Sequence, residues 1–282
     1  MRKTKENTMD KRLLTIQDIS CVGQCSLTVA LPIISACGIE TAILPSSVLS
    51  NHTGGFKSWT FHDLTDEMLN ILEEWNKQDI KFDAFYTGYV TKAQIPNILR
   101  IMEEAGNEGA MRIVDPVLGD YGKLYAGFDE EFPMVMRELC KGADVILPNM
   151  TEASLMLGIE YKEHHTKEEI EDIVKRLYAI GPKNVVLTGV SFDEDKLGVA
   201  CYDGEKIEYY FTERIRKNMH STGDCFASAL SGALMRGHSL LDAAAIAADF
   251  VLETIKHTIP DDSHWYGVKF EKALPYLIKR LG

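Results

Sequence analysis

The chain has 282 residues with a formal net charge of −12, and 45% of its residues are hydrophobic. This length and composition are typical of a soluble globular protein with one large or two ordinary domains. The negative charge disfavours a nucleic-acid-binding protein, because a phosphate backbone requires a basic surface. No apolar stretch reaches the ~20 residues that a bilayer-spanning helix needs, so we expect no membrane partner.

Six cysteines are present, and their spacing favours reduced thiols over a metal site. No CxxC pair occurs, and the separation of Cys21 from Cys25 does not match a zinc knuckle. Residues 1–10 are polar and charged, without the apolar core of a signal peptide. Together these features predict a cytoplasmic protein.

The first part of the chain alternates between strand and helix patterns. Residues 1–10 predict a flexible tail, and the apolar run at 13–19 predicts a buried strand. A turn containing glycine leads into an apolar helix that ends at Gly38. There follow a strand at 41–45, a long polar loop at 46–59 and an amphipathic helix at 65–78 with Thr65 as its N-cap.

From residue 82 onward the alternation continues. A strand with its end loop at 82–90 precedes a helix at 93–106, and Asp115-Pro116 interrupts a strand that begins at residue 111. After a loop at 120–132 come a helix at 132–142, a strand at 143–149 and a short helix from 151. The next helix, at 166–181, opens with a capping box of Thr166 and Glu169, and a strand at 183–190 follows it. A hairpin at 196–211 turns at Asp203-Gly204, and the last helices are at 222–236, 239–257 and 270–280.

Strands that alternate with helices predict a mostly parallel sheet with helices on both faces. The late hairpin predicts an antiparallel edge. We therefore expect a three-layer α/β/α fold, and because no linker interrupts the series, we assign residues 11–282 to a single domain.

Unusual polar residues concentrate where the predicted strands end. In parallel α/β folds, ligands bind in the loops beyond the carboxyl ends of the strands. These loops cover residues 18–26, 50–55, 87–89, 115–125, 148–152, 188–190 and 220–224.

Several common nucleotide and hydrolase motifs are absent from the sequence. No GxxxxGK[ST] pattern occurs, and no GxGxxG follows the first strand, which disfavours P-loop and dinucleotide enzymes. No GxSxG, HExxH or kinase HRD pattern occurs either.

The stretch "HSTGDCFASAL" (220–230) permits two interpretations. Ser221 or Thr222 could cap a helix, with Asp224 as an ordinary acidic residue in its first turn. Alternatively, the free N–H groups of the helix start could bind an anion, with Gly223 permitting close approach and Asp224 acting as a base. These residues alone do not separate the two.

The stretch "PNMTE" (148–152) is equally ambiguous. Asn149 and Glu152 lie three residues apart at a strand-to-helix junction, where they could form a capping box. They could also order water molecules bound to Mg²⁺ beside a phosphate, since Mg²⁺ keeps several waters in proteins.

Taken together, the two stretches resemble the ribokinase-like family of small-molecule kinases. The opening "TIQDISCVGQCSLTVALPIISACG", the loop "SVLSNHTGGFKSW", the strand ends "TGYV" and "VDPVLGD", and "DVILPNMTEASLM" are similar to pyridoxal kinases of that family, in the expected order. The resemblance extends from about Leu13 to Leu252. It implies phosphorylation of a B6 vitamer by ATP, with Mg²⁺ and a monovalent cation such as K⁺ as cofactors, in a homodimer.

The resemblance also implies roles for individual residues. Asp224 takes the proton of the 5′-hydroxymethyl group, and the backbone N–H groups at the helix start cradle the γ-phosphate. The substrate ring lies among Asp18, Val22, Thr53, Gly54 and Tyr89. Asp115 and Glu152 are implied to face the ATP phosphates through Mg²⁺. The other residues implied for ATP are Asn149, Thr188, Thr222 and Gly223. The resemblance also implies that the loop 119–127 closes over the site.

Two positions depart from the family pattern. Asp18 stands where serine is common, which leaves the choice among pyridoxal, pyridoxine and pyridoxamine open. Ser221 stands where glycine is common, and a serine is tolerable in the anion hole if its φ is negative. The alternatives are a hydroxymethylpyrimidine kinase and a catalytically silent relative. We expect His52 to anchor its loop or contact the ring, and Cys225 to pack as a small apolar residue.

Overall fold

The computed structural model describes residues 11–217 and 219–282, so the predicted tail at 1–10 lies outside the described residues. The strands are β1 (Arg12–Ser20), β2 (Glu40–Leu49), β3 (Phe61–Asp63), β4 (Phe82–Thr87), β5 (Gly106–Val114), β6 (Gly119–Asp120), β7 (Lys123–Leu124), β8 (Val145–Ile146), β9 (Val185–Val190), β10 (Lys196–Tyr202) and β11 (Ile207–Glu213). The helices are α1 (Leu27–Ala36), α2 (Thr65–Lys77), α3 (Ile95–Glu104), α4 (Phe132–Cys140), α5 (Met150–Leu157), α6 (Lys167–Tyr178), α7 (Thr222–Met235), α8 (Leu240–Thr258) and α9 (Phe270–Leu281).

The main sheet has the order β11-β10-β9-β8-β5-β4-β1-β2-β3. Its centre, from β9 to β2, is parallel, whereas β10, β11 and β3 are antiparallel to their neighbours. The predicted three-layer α/β/α fold with an antiparallel edge hairpin is therefore confirmed. The assignment of residues 11–282 to one domain stays a prediction.

Apolar side chains cover both faces of the sheet. One buried cluster joins α1, α7, α8 and α9 to the sheet, and the other joins α2 to α6 to its opposite face. Helix α7 contributes a small-residue face to the first cluster, and a Cβ at Gly232 would lie only 2.4 Å from Cys37 Sγ. Because α7 packs this closely on α1, its first turn is held next to the turn between β1 and α1.

Several local predictions need correction, and strand β5 begins at Gly106 rather than at residue 111. Strand β2 continues to Leu49, because it pairs with β1 and with β3, so the long loop begins at residue 50. Thr65 is the first residue of α2 rather than its N-cap, since the Asp63 carboxylate accepts its N–H at 2.7 Å. The segment 120–132 is not wholly a loop, because β6 and β7 form a small hairpin there. The capping box of Thr166 and Glu169 is confirmed.

Candidate active site

The predicted strand-end loops converge at the carboxyl edge of the parallel sheet. Backbone hydrogen bonds connect the end of each strand to the neighbouring strand and so bring the loops together. These bonds run from Gly88 N to Ile16 O (3.2 Å), Asp115 N to Thr87 O (3.0 Å), Leu147 N to Val114 O (2.9 Å) and Thr188 N to Pro148 O (2.9 Å).

Asp224 lies in the first turn of α7 and turns away from its own helix. Its Oδ2 accepts the N–H of Ser26 at 3.1 Å and the thiol of Cys25 at 3.0 Å. Burial raises the pKa of Asp224, while these two donors oppose the rise. The carboxylate is thus fixed against the turn that follows β1.

The start of α7 is not capped by a side chain. Ser221 has φ 70° and ψ 8°, so it is left-handed, unlike the extended N-cap Asn149 of α5 with φ −82° and ψ 175°. In this conformation the serine side chain does not cap the helix, so the capping interpretation is wrong. The condition under which a serine is tolerable in the anion hole, a negative φ, is therefore not met at Ser221.

The uncapped helix start leaves several backbone donors free. Among the described residues, the N–H groups of Thr222, Gly223 and Asp224 have no hydrogen-bond acceptor. Gly223 is exposed, and a Cβ placed there would meet nothing within 4 Å. A helix start with free N–H groups and open space in front of it favours an anion.

Asp18 lies at the end of β1, on the same side of the sheet as Asp224. It is only 4% exposed, and its Oδ2 accepts the Ser20 hydroxyl at 2.8 Å. Burial, together with the negative charge of Asp224, raises the pKa of Asp18 to about 6, against the lowering effect of nearby serines. Burial, and then the negative charges of Asp18 and Asp63, raise the pKa of Tyr89, which therefore lies within electrostatic range of Asp18. The Tyr89 ring stacks on the Phe128 ring, with their centroids 5.3 Å apart.

His52 fastens the loop that contains Thr53 and Gly54. Its Nδ1 accepts the Gly54 N–H at 3.0 Å, and its Nε2 lies 2.6 Å from the carbonyl oxygen of Tyr266. These contacts assign the proton to Nε2, and they agree with the predicted anchoring role. Thr53 and Val22 expose their side chains beside this anchor and are free to contact a ligand.

The "PNMTE" segment forms the predicted capping box. Glu152 N donates to Asn149 Oδ1 at 2.9 Å, and Asn149 N donates to Glu152 Oε2 at 2.8 Å. Side chains of the same turn also hold the segment 118–122. The contacts are Leu118 N to Glu152 Oε1 (3.2 Å), Asn149 Nδ2 to Gly119 O (3.0 Å) and Gly122 N to Thr151 Oγ1 (3.0 Å). The start of α5 therefore clamps the β6–β7 hairpin.

Asp115 and Glu152 form a buried pair of like charges, 8% and 4% exposed. Burial raises the pKa of both carboxyls well above the usual range, and neighbouring carboxylates add to it, Asp224 for Asp115 and Asp115 for Glu152. Within residues 11–217 and 219–282, no group of three or more His, Cys, Asp or Glu side chains is arranged to hold a metal ion by itself. The pair nevertheless suits a cation that arrives with phosphate, because the two carboxyls lie in one buried site and neither forms a salt bridge with a described residue.

Sequence reasoning assigned no role to Cys25 and Tyr125, which also lie in the site. Burial raises the pKa of the Tyr125 hydroxyl, and the negative charges of Glu152, Asp120 and Asp224 raise it further. Tyr125 belongs to the loop 119–127, which we expected to close over the site, and this expectation could have drawn attention to Tyr125. Cys225, which follows Asp224, is fully buried, as predicted. Thr188 lies across from Pro148, with its hydroxyl 3.5 Å from that carbonyl.

Comparisons with known proteins place the chain in a family. The phosphomethylpyrimidine kinase family model matches residues 31–267.

In the part of the chain that the structure describes, no helix is both long and apolar enough to cross a bilayer.

Solved structures and curated relatives agree with the family model. A Bacteroides thetaiotaomicron protein named as a phosphomethylpyrimidine kinase, solved in a form with pyridoxal, is 36% identical, with a TM-score of 0.90 over 95% of this chain and 96% of that one. The pyridoxal kinase of Lactobacillus plantarum is 33% identical, with a TM-score of 0.88 over 95% of this chain and 97% of that one. The pyridoxal kinase of Bos taurus is 29% identical over 78% of this chain and 76% of its own. The chain therefore belongs to the phosphomethylpyrimidine kinase family, as a relative of the pyridoxal kinases.

Proposed function

We propose that this protein transfers the γ-phosphate of ATP to the 5′-hydroxymethyl group of a B6 vitamer. The observation that carries the proposal is the start of α7, where free backbone donors and the Asp224 carboxylate lie side by side. An anion site next to a base is what phosphoryl transfer to an alcohol requires.

The N–H groups of Thr222, Gly223 and Asp224 bind the transferring phosphate. Their positive partial charge adds to the dipole of α7 and stabilises negative charge that develops on the phosphoryl oxygens. Ser221 contributes through the backbone turn that leads into these donors. Because the donors are already fixed by the helix, they need no rearrangement during the reaction.

Asp224 acts as the general base. Oδ2 is occupied by Cys25 and Ser26, whereas Oδ1 accepts no hydrogen bond from a described residue. Oδ1 therefore accepts the proton of the attacking hydroxyl.

The pyridine ring occupies the space between the end of β1 and the loop held by His52. Tyr89 supplies an apolar face, and Thr53, Gly54 and Val22 border the opening. Asp18 accepts a hydrogen bond from a protonated ring nitrogen or a ring hydroxyl. Since the pKa of Asp18 is about 6, the carboxylate is available for this bond at neutral pH.

Asp115 and Glu152 hold Mg²⁺ on the ATP phosphates, with Asn149 and Thr188 beside them. Both Glu152 oxygens already accept backbone N–H groups, which favours contact through water. When bound, Mg²⁺ supplies positive charge that offsets the charge of the phosphates. The requirement for K⁺, the homodimer and the cytoplasmic location stay predictions.

The loop 119–127 covers the reacting groups. Its hairpin is clamped by the start of α5, and it carries Tyr125 toward Asp224 and Glu152. Such a cover excludes water, which would otherwise compete with the alcohol as phosphoryl acceptor.

The similarity to pyridoxal kinases favours a B6 vitamer over hydroxymethylpyrimidine. The Bacteroides protein with pyridoxal is 36% identical, and the kinases of Lactobacillus plantarum and Bos taurus are named for the same vitamer. The intact base and anion site argue against a silent relative.

The test is turnover with Mg-ATP and pyridoxal, pyridoxine, pyridoxamine or hydroxymethylpyrimidine, with phosphorylated product as the readout. Asp224→Asn is expected to lower kcat by about 10²- to 10⁴-fold, while ATP binding measured by calorimetry changes little. The matched control is Asp242→Asn, since Asp242 occupies the same position in the first turn of α8. Turnover of hydroxymethylpyrimidine alone, or equal activity of the two variants, would refute the proposal.

A further inference from the structure

Among the described residues, Cys25 is the one whose side chain forms a hydrogen bond to the Asp224 carboxylate. Cys25 lies in the turn between β1 and α1, 199 residues before Asp224 in the sequence, and its Sγ is 3.0 Å from Asp224 Oδ2. Hydrogen bonds hold the backbone of that turn, because Cys25 N donates to Thr28 Oγ1 at 3.2 Å and the Thr28 hydroxyl donates to Cys25 O at 2.8 Å. The backbone that carries the sulfur is therefore anchored to the start of α1.

The contact is a hydrogen bond from a thiol to a carboxylate. Burial, followed by the negative charges of Asp224 and Asp18, raises the pKa of Cys25 well above its ordinary value. The sulfur therefore keeps its proton at neutral pH and acts as a donor rather than as a nucleophile.

Both donors to Asp224 act on the same oxygen. The Cys25 thiol and the Ser26 N–H bond to Oδ2, and together they fix the rotation of the carboxylate about its last torsion. This arrangement leaves Oδ1 directed away from the turn. A carboxylate held by the Ser26 N–H alone could still tilt about this torsion, so the thiol contributes to fixing the plane of the carboxylate and the direction of its free oxygen.

We propose that Cys25 is a positioning residue for the base, and that its hydrogen bond to Oδ2 favours the ionised form of Asp224 and directs the free oxygen toward the substrate hydroxyl. This inference rests on the proposed function. Removal of the thiol should leave the anion site intact, since the N–H groups of α7 belong to the backbone, but should weaken the base at low pH.

Other titratable groups surround Asp224 and bear on any pH profile. They are Asp18 at the end of β1, His52 in its loop, Tyr86 in β4, Asp115 after β5, Tyr125 in the covering loop and Cys225 in α7. Each of them remains in place when only Cys25 is changed, so a comparison of Cys25 variants isolates the contribution of the thiol.

The first test is the dependence of kcat on pH for Cys25→Ala and Cys25→Ser. A hydrogen bond to the ionised form lowers the pKa of an acid, so its loss in Cys25→Ala should move the acid limb upward by about one pH unit. Cys25→Ser restores a donor and should return the limb to within a few tenths of a unit of the wild-type position.

The control is Cys225→Ala, because that sulfur is buried beside the base without a hydrogen bond to it. Its acid limb should coincide with that of the wild type. A merely structural role of Cys25 predicts a lower kcat at every pH without displacement of the limb. Coincident limbs for Cys25→Ala and wild type would overturn the proposal.

The second test needs no turnover. The S–H stretching band of Cys25, isolated as the infrared difference between wild type and Cys25→Ala, should move to higher frequency in Asp224→Asn and stay in place in Asp242→Asn. If the frequency of this band does not change in Asp224→Asn, the contact between the thiol and Asp224 is refuted. If the wild type phosphorylates no vitamer, the proposed function fails, whereas this band still decides whether the thiol holds Asp224.

Discussion

Replacing Asp115 by Asn should stabilise the protein while it lowers activity. The Asp115 side chain is 8% exposed and accepts no hydrogen bond from a described residue. It also lies beside the carboxylates of Glu152 and Asp224. Asparagine keeps the shape of the side chain and removes the charge, so no internal hydrogen bond is lost when the repulsion is removed.

The sign of the pH dependence follows from the raised pKa of Asp115. Its protonated form is favoured by the fold, so the stabilisation is complete below the usual range, about pH 4, and is lost as the pH rises through the raised value. At neutral pH the wild type bears the cost of burying this carboxyl without a hydrogen-bond donor or a positive partner. We expect Asp115→Asn to be more stable by about 1–3 kcal/mol at pH 7, with a difference that shrinks toward pH 4.

The assay is urea unfolding between pH 4 and pH 7 without Mg²⁺ or ATP, followed by turnover at pH 7. The matched control is Asp144→Asn, because that carboxylate accepts Arg112 N and Lys183 Nζ, each at 2.7 Å. The control should lose about 1–2 kcal/mol, the opposite sign. A loss of stability in Asp115→Asn at pH 7, or a difference that does not vary with pH, would refute the reasoning.

Two substitutions of backbone conformation extend the test. Gly23→Ala should lower the free energy of unfolding in urea by about 2–4 kcal/mol and raise the KM for the vitamer, because Gly23 has φ 115° and the new Cβ would lie 2.1 Å from the His52 ring. Gly38→Ala is the milder control, since Gly38 has φ 82° and open space around it. Ser221→Gly should raise the free energy of unfolding by about 0.5–1 kcal/mol, because glycine adopts the left-handed conformation without strain. Asp79→Gly, at a residue with φ 52°, should do the same. A loss of stability in Ser221→Gly alone would mean that the Ser221 hydroxyl stabilises the turn.

Much of the fold follows from local patterns in the sequence. Alternating strand and helix periods predict the parallel sheet, and the rule for strand ends predicts which loops form the site. The capping box at Thr166 is predictable because both partners lie within one turn. These features depend on neighbours along the chain.

What the sequence does not reveal depends on distant neighbours. The contact between Cys25 and Asp224 joins residues 199 positions apart, and no local pattern fixes the direction of either side chain. The same limit applies to Ser221, because a φ of 70° is uncommon for serine and its residue type does not predict it. Thr65 failed as an N-cap because Asp63, two residues earlier, takes its N–H.

The contrast among helix starts explains why one of them can be catalytic. Helices α5, α6 and α8 each begin with a polar N-cap and an acid three residues later, and in each the cap side chain accepts the N–H of that acid. Helix α7 has the same spacing, Ser221 to Asp224, but the left-handed serine cannot cap and the acid bonds to another segment. The donors that a cap would satisfy are therefore left for a phosphate. Because Cys25 and Ser26 bind one oxygen of the acid only, the same turn leaves free N–H groups and a free carboxylate oxygen side by side, as the proposed function requires.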